Sequence, residues 1–240
     1  MHKYIADEYD VPFVLFSSVH IITLLIIFFT ILFIFYFRVS LRKSQVNTIV
    51  RYLLASILII SEISLAWWLF YIEAWDISTS LPLHISSISL LLSAILLMTK
   101  SYRVFEITYF IGVGSALHAI FTPDISGFSF PHFRYVHFFI SHGGIVIANM
   151  FILIVHMYKP TIRSLFRAFA ILNIYMIFIL IFNKLVNGNY LYISKKPVNP
   201  SIIDYLGPWP WYIISLEVLA IVTFFLLYTP FYFINRKGNT

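Results

Sequence analysis

The chain of 240 residues contains no cysteine. Disulfide frameworks, thiolate metal sites and cysteine nucleophiles are therefore excluded. Charge is scarce as well: Asp, Glu, Lys and Arg make up 11% of the residues, against about 25% in soluble domains. No stretch is polar enough to form a soluble domain or a long linker. No internal repeat is visible, which argues against a transporter built from two inverted halves. Metal-ligand spacing is missing too. His132, His137 and His142 follow one another at five-residue steps, and each step turns a helix by about 140°. No cofactor and no metal are expected.

What the chain does contain is hydrocarbon: 60% of its residues are hydrophobic, with 25 Phe and 16 Tyr. A helix crosses a bilayer with roughly 20 mostly apolar residues. Seven runs qualify, at approximately 14–37, 50–71, 83–98, 102–121, 136–157, 162–184 and 211–234. The expected fold is an all-α, polytopic membrane helix bundle of about seven transmembrane helices, forming one integral membrane domain over 1–240. Breakers separate the runs: Pro82, Pro123, Pro131, Pro160 and the cluster from Pro197 to Pro210. Asp7, Glu8 and Asp10 precede the first run where a leader peptide would carry basic residues, so this run reads as a permanent span.

The formal charge of +6 sits in short loops between apolar runs. There it sets orientation in the bilayer and does not point to nucleic acid. The first, third and fifth loops and the C-terminal tail hold eleven Lys and Arg, and the opposite side holds five. The excess places the N-terminus outside and the C-terminus in the cytoplasm of a multi-pass cell-membrane protein. The expected partners are membrane lipids.

Polar residues inside the spans are costly and usually face the bundle interior or a water-filled cavity. His142 is followed by Gly143 and Gly144, which allow a neighbouring backbone or a ligand to approach. His84 follows Pro82 and precedes Ser86, Ser87 and Ser89. A serine near an imidazole is a candidate nucleophile if the two come within hydrogen-bond reach. Serines in membrane helices also satisfy backbone carbonyls, and a neutral histidine can simply bond to a neighbour. Glu62, Glu106 and Glu217 are the intramembrane carboxylates. Glu106, about one turn from the inner end of its span, can reach the headgroups, while a carboxylate at the depth of Glu62 or Glu217 is protonated or paired. Glu217 could orient an imidazole as the acid of a triad does. Tyr190 and the Pro-Trp-Pro-Trp segment, with Trp209, form an aromatic rim suited to the interface and to a lipid headgroup. His84 and His142 are expected to meet across one cavity, with Tyr190 or Trp209 at its mouth.

The segments LPLHISSISLLL (81–92), TKSYRVFEITYFIGVGSALHAIFTPD (99–124), FPHFRYVHFFISHGG (130–144), NGNYLYISKKP (187–197) and LGPWPWYIISLE (206–217) occur in this order. Together they resemble the bacterial YwaF-like integral membrane proteins, from about residue 67 to 231. That family is similar to eukaryotic membrane acyltransferases of the transmembrane-protein-164 type, which move acyl chains between phospholipids. It is more distantly similar to membrane hydrolases that use a Thr and a His. The resemblance implies that His142 is the general base. The family's cysteine nucleophile stands beside a Pro-x-His element, here Pro82-Leu83-His84. Its place falls on Leu83 or, on a looser alignment, on Ser86. The resemblance thus implies a lipid acyltransferase or lipase-like hydrolase acting from the outer leaflet, with His142 and Ser86 catalytic and His84, Tyr190, Trp209 and Glu217 holding substrate. A non-enzymatic lipid- or solute-binding protein is the alternative. A proton-coupled transporter using Glu62 and His142 comes third.

Overall fold

A computed structural model describes residues 2–125, 127–196 and 202–237. Among them are seven long apolar helices and no strand: α1 Ser18–Tyr36, α2 Ser44–Tyr71, α3 Ile85–Thr99, α4 Tyr102–Phe121, α5 Phe133–Val155, α6 Ile162–Val186 and α7 Trp211–Lys237. Six are long enough to cross a membrane, and α3 is a shorter apolar helix of 15 residues. The chain is a multi-pass membrane protein. Helix α4 contains a π-helical turn at Thr108–Gly112. The expected run 50–71 starts at Ser44, because Asn47 and Arg51 are buried in an additional helical stretch. The expected run 136–157 starts at Phe133, because His132 caps it by accepting from the Arg134 N–H.

Helices α4 and α5 form the centre. Over their most apolar stretches 56% and 61% of residues are buried, compared with 17% in α1 and 11% in α7. Helix α5 packs against α1, α2, α3 and α4, while α6 and α7 pair with each other beside α4. The peripheral helices present Ile22, Ile26, Phe29 and Phe33 or Ile174 and Ile177 outward. In water these would be aggregation-prone patches; in lipid they face their solvent. Close approach at the centre depends on small residues. A Cβ on Gly143 would lie 2.8 Å from Ile27 Cδ1 of α1, and one on Gly144 would lie 2.6 Å from Leu58 Cδ2 of α2. The glycine pair therefore seats two neighbouring helices.

Polar groups join the central helices where hydrophobic force is absent between them. Asn149 of α5 donates to Ser93 of α3 at 3.1 Å and accepts from Thr108 of α4 at 2.7 Å; all three are buried. At one end of the bundle, basic side chains close helix C-termini, where carbonyls lack partners. Arg51 donates to the carbonyls of Leu97 and Met98, and Arg42 to those of Val155 and Ile154. Glu106 is buried there, paired with Arg167 and accepting from Ser164. The other end gathers the segments 2–13, 72–84, 122–125, 127–132, 187–196 and 202–210. Trp68 donates to the Ile5 carbonyl, His132 Nε2 to Ala6 at 3.0 Å, and Trp209 to Ile193.

Candidate functional site

Beneath those gathered segments lies a cavity of about 560 Å³. Three helices supply much of its wall, each by helical spacing. Helix α2 gives Glu62, Leu65 and Leu69; α3 gives Ser86, Ser87 and Leu90, with His84 at its N-cap; α5 gives Arg134, His137, Phe138, Ser141 and His142. Thr122, Asp124 and Tyr192 complete the wall. His84 and Ser86 thus share one cavity with His142, which is far from them in the sequence. The five-residue step of His137 and His142 does not separate them, because the cavity is wide enough to take both, whereas His132 turns away to Ala6. Among the described residues no three His, Asp or Glu side chains converge to hold a metal ion.

The hydrogen bonds of His142 fix its tautomer. Nδ1 lies 2.8 Å from the Phe138 carbonyl oxygen, which can only accept, so Nδ1 carries the proton. The ring packs at a tilt against Phe138, with 4.1 Å between centroids. Nε2 then holds a lone pair and makes no hydrogen bond among the described residues. The side chains of His84 and Ser86 also make no hydrogen bond among the described residues, and no bond joins Ser86 to His142. Ser87 differs, since its hydroxyl faces the Glu62 carboxyl. His137 Nε2 meets Ser141 at 3.2 Å, and Ser141 meets Ser61 at 2.8 Å.

Helix α3 begins here without a side-chain cap: His84 is its N-cap and makes no capping bond. Its first helical bond runs from the Ile88 N–H to the His84 carbonyl. The N–H groups of Ile85, Ser86 and Ser87 are consequently unpaired at the positive end of the helix dipole. Arg134 adds a full positive charge. Its guanidinium lies 5.4 Å from the Trp68 ring, and Asp124 and Tyr192 are its electrostatic neighbours. Burial pushes the Tyr192 phenol above its ordinary value; Asp124 adds to this and Arg134 opposes it. Tyr192 therefore stays protonated at neutral pH.

The other expected site residues lie elsewhere. Tyr190 is fully buried behind His84, with ring centroids 5.3 Å apart. Its hydroxyl accepts from the Leu81 N–H and donates to the Ile77 carbonyl, so it braces the loop that carries His84. Trp209 is 59% exposed and sits outside the cavity. Glu217 accepts from Asn173 at 2.9 Å and lines a second, apolar groove between α3, α4, α6 and α7. Arg134 was visible in the sequence only as a loop charge, and nothing in its spacing marked it as a cavity residue.

The comparison with family models decides the kinship, for the chain matches the TMEM164 family over residues 15–228. This chain belongs to the TMEM164 family. The match covers every helix that builds the cavity. No curated protein and no solved structure matches the chain.

Proposed function

We propose that this TMEM164-family member is a membrane-embedded acyltransferase or ester hydrolase acting on acyl lipids, with Ser86 as nucleophile and His142 as general base. The observation that carries this reading is that a hydroxyl and an imidazole nitrogen, neither hydrogen-bonded among the described residues, share one cavity with a helix N-terminus that has no side-chain cap. Ser86 Oγ attacks the ester carbonyl as its proton passes to His142 Nε2. The oxyanion is held by the free N–H groups at the start of α3, as donors in an oxyanion hole hold it. Collapse breaks the ester C–O bond, and the proton on His142 moves to the departing alcohol. Acyl-Ser86 then passes its chain to a second lipid hydroxyl or to water. Arg134, with His84 beside it on the wall, attracts the substrate's phosphate. Ser87 is a poorer candidate because it is engaged with Glu62.

In the orientation set by loop charge, the cavity opens towards the outer leaflet. Cysteines introduced into the cysteine-free chain test this directly. Labelling of position 195 only from the cytoplasm would reverse it.

Lipidomics of cells with and without the protein tests the chemistry. Ser86→Ala is expected to abolish the protein-dependent change and Ser86→Cys to retain it, since a thiolate is the better nucleophile. A second reading is supported by the absence of a bond between Ser86 and His142: the cavity holds a lipid headgroup and forms no covalent intermediate. An unaltered lipid profile in Ser86→Ala, against a clear change on deletion, decides for this second reading.

A further inference from the structure

The apolar groove that contains Glu217 measures about 370 Å³. It meets the polar cavity at Thr122 and Tyr192, which line both. The start of α3 divides them: Ile85 faces the groove and Ser86 faces the cavity, as successive residues about 100° apart on a helix must diverge. The two cavities also differ in their chemistry. Around the groove, each of these polar side chains already has a protein partner. His118 bonds to Thr223, Thr223 to the Leu219 carbonyl, Thr122 to the His118 carbonyl, Ser115 to the Gly112 carbonyl and Glu217 to Asn173. The groove presents carbon to whatever enters it.

We infer that the groove is the acyl-chain subsite of the same binding site, so that one lipid molecule lies with its phosphate at Arg134, its ester beside Ser86 and one chain among Leu216, Ala220 and Phe224. The inference rests on the proposed lipid chemistry for its ester position and stands on geometry for its chain position. Tyr192 forms the waist between the halves. Its backbone and that of Leu191 are left-handed, with φ of 54° and 61°, a conformation that persists only where its surroundings enforce it. Here they do so. Asn183 bonds to both backbone groups of Tyr190, and Tyr212 donates to the Tyr192 carbonyl. A chain arriving from the bilayer gains no hydrophobic transfer energy, so the groove discriminates by packing fit.

A lysophosphatidylcholine with a diazirine near the end of its chain, photolysed with the purified full-length protein in detergent, tests this. Cross-links at Met176, Leu216, Ala220 or Phe224 are expected, together with their loss in Ala220→Phe and, as a second groove-filling variant, in Leu216→Trp. Arg134→Gln is expected to lower the same cross-links, because one molecule occupies both halves. Labelling confined to outward residues such as Ile174 and Ile177 would overturn the inference, as would groove labelling indifferent to Arg134→Gln. Lipid turnover measured on the same protein separates the two proposals. Groove labelling that persists without any lipid turnover in the wild type removes the catalytic reading alone, and turnover without groove labelling removes the subsite alone.

Discussion

The polar cavity and the apolar groove share α3, α4 and Tyr192 as walls, yet they treat their polar groups in opposite ways. In the groove, side chains such as His118, Thr223 and Glu217 are tied to neighbours. In the cavity, His84, Ser86 and one nitrogen of His142 make no side-chain hydrogen bond among the described residues. The buried Nδ1 of His137, also on the cavity wall, has no hydrogen-bond partner among the described residues, and a buried polar group left unsatisfied costs about 1–3 kcal/mol. This contrast between adjoining hollows supports the proposal that the polar one receives a ligand. Composition alone does not separate the two hollows, since both contain histidine, a carboxylate and hydroxyls.

The largest expected effect that can break this contrast is at His142. His142→Ala should lower lipid turnover by about 10²–10⁴-fold, the usual contribution of a general base, while leaving thermal unfolding in detergent nearly unchanged. An equally large loss of folded protein would make His142 a structural residue like Asn149.

The groove should respond in the reverse manner. Asn173→Ala removes the partner of Glu217 and should destabilise the bundle by about 1–3 kcal/mol, read as a lower unfolding temperature. Adding Glu217→Gln should recover part of it. A variant that melts normally and loses turnover would place Glu217 in the chemistry after all.

Next in size is the partition between the hollows. Asn183→Ala frees both backbone groups of Tyr190. Hydrogen exchange at 190–193 should rise while that at 143–152 holds. Unchanged protection at 190–193 would show that Tyr212 alone holds the waist.

The smallest effect concerns pH. Burial keeps His132 below its ordinary value; the bond to Ala6 opposes this and Arg134 adds to it. Its folded-state value therefore lies under the unfolded one, so its contribution is complete above about pH 6.5. It is lost as pH falls through the folded value. Acid should loosen residues 2–6 and 132–136 of the cavity end, seen by hydrogen exchange, and spare the groove helix 211–224. His132→Asn should remove that acid response.

Much of this was legible in the chain itself. Every apolar run became a helix, because about 20 residues of hydrocarbon without competing charge leave the backbone no other way to satisfy its hydrogen bonds in lipid. His84, Ser86 and His142 were legible as candidates because polar groups at span depth are expensive and therefore conspicuous. Arg134 and Arg51 were not. Both read as loop charges, and only the packing of α5 and α2 shows one entering the cavity and the other closing the end of α3. Glu217 and Trp209 read as substrate-holding residues because they occupy a motif-rich segment. Which hollow a residue enters depends on the rotation of its helix, however, and α7 turns Glu217 towards Asn173 of α6.

The sequence by itself determined that this is a helical membrane protein and which polar residues had to be kept from lipid. Those outcomes follow from composition and run length, which act locally along the chain. Only the tertiary structure decided that Ser86 and Ile85 face different hollows, that His142 keeps a free nitrogen and that Arg134 stands at the cavity wall. These facts depend on the relative rotation of seven helices and on the loop that carries Tyr192, and side-chain packing between distant segments sets both.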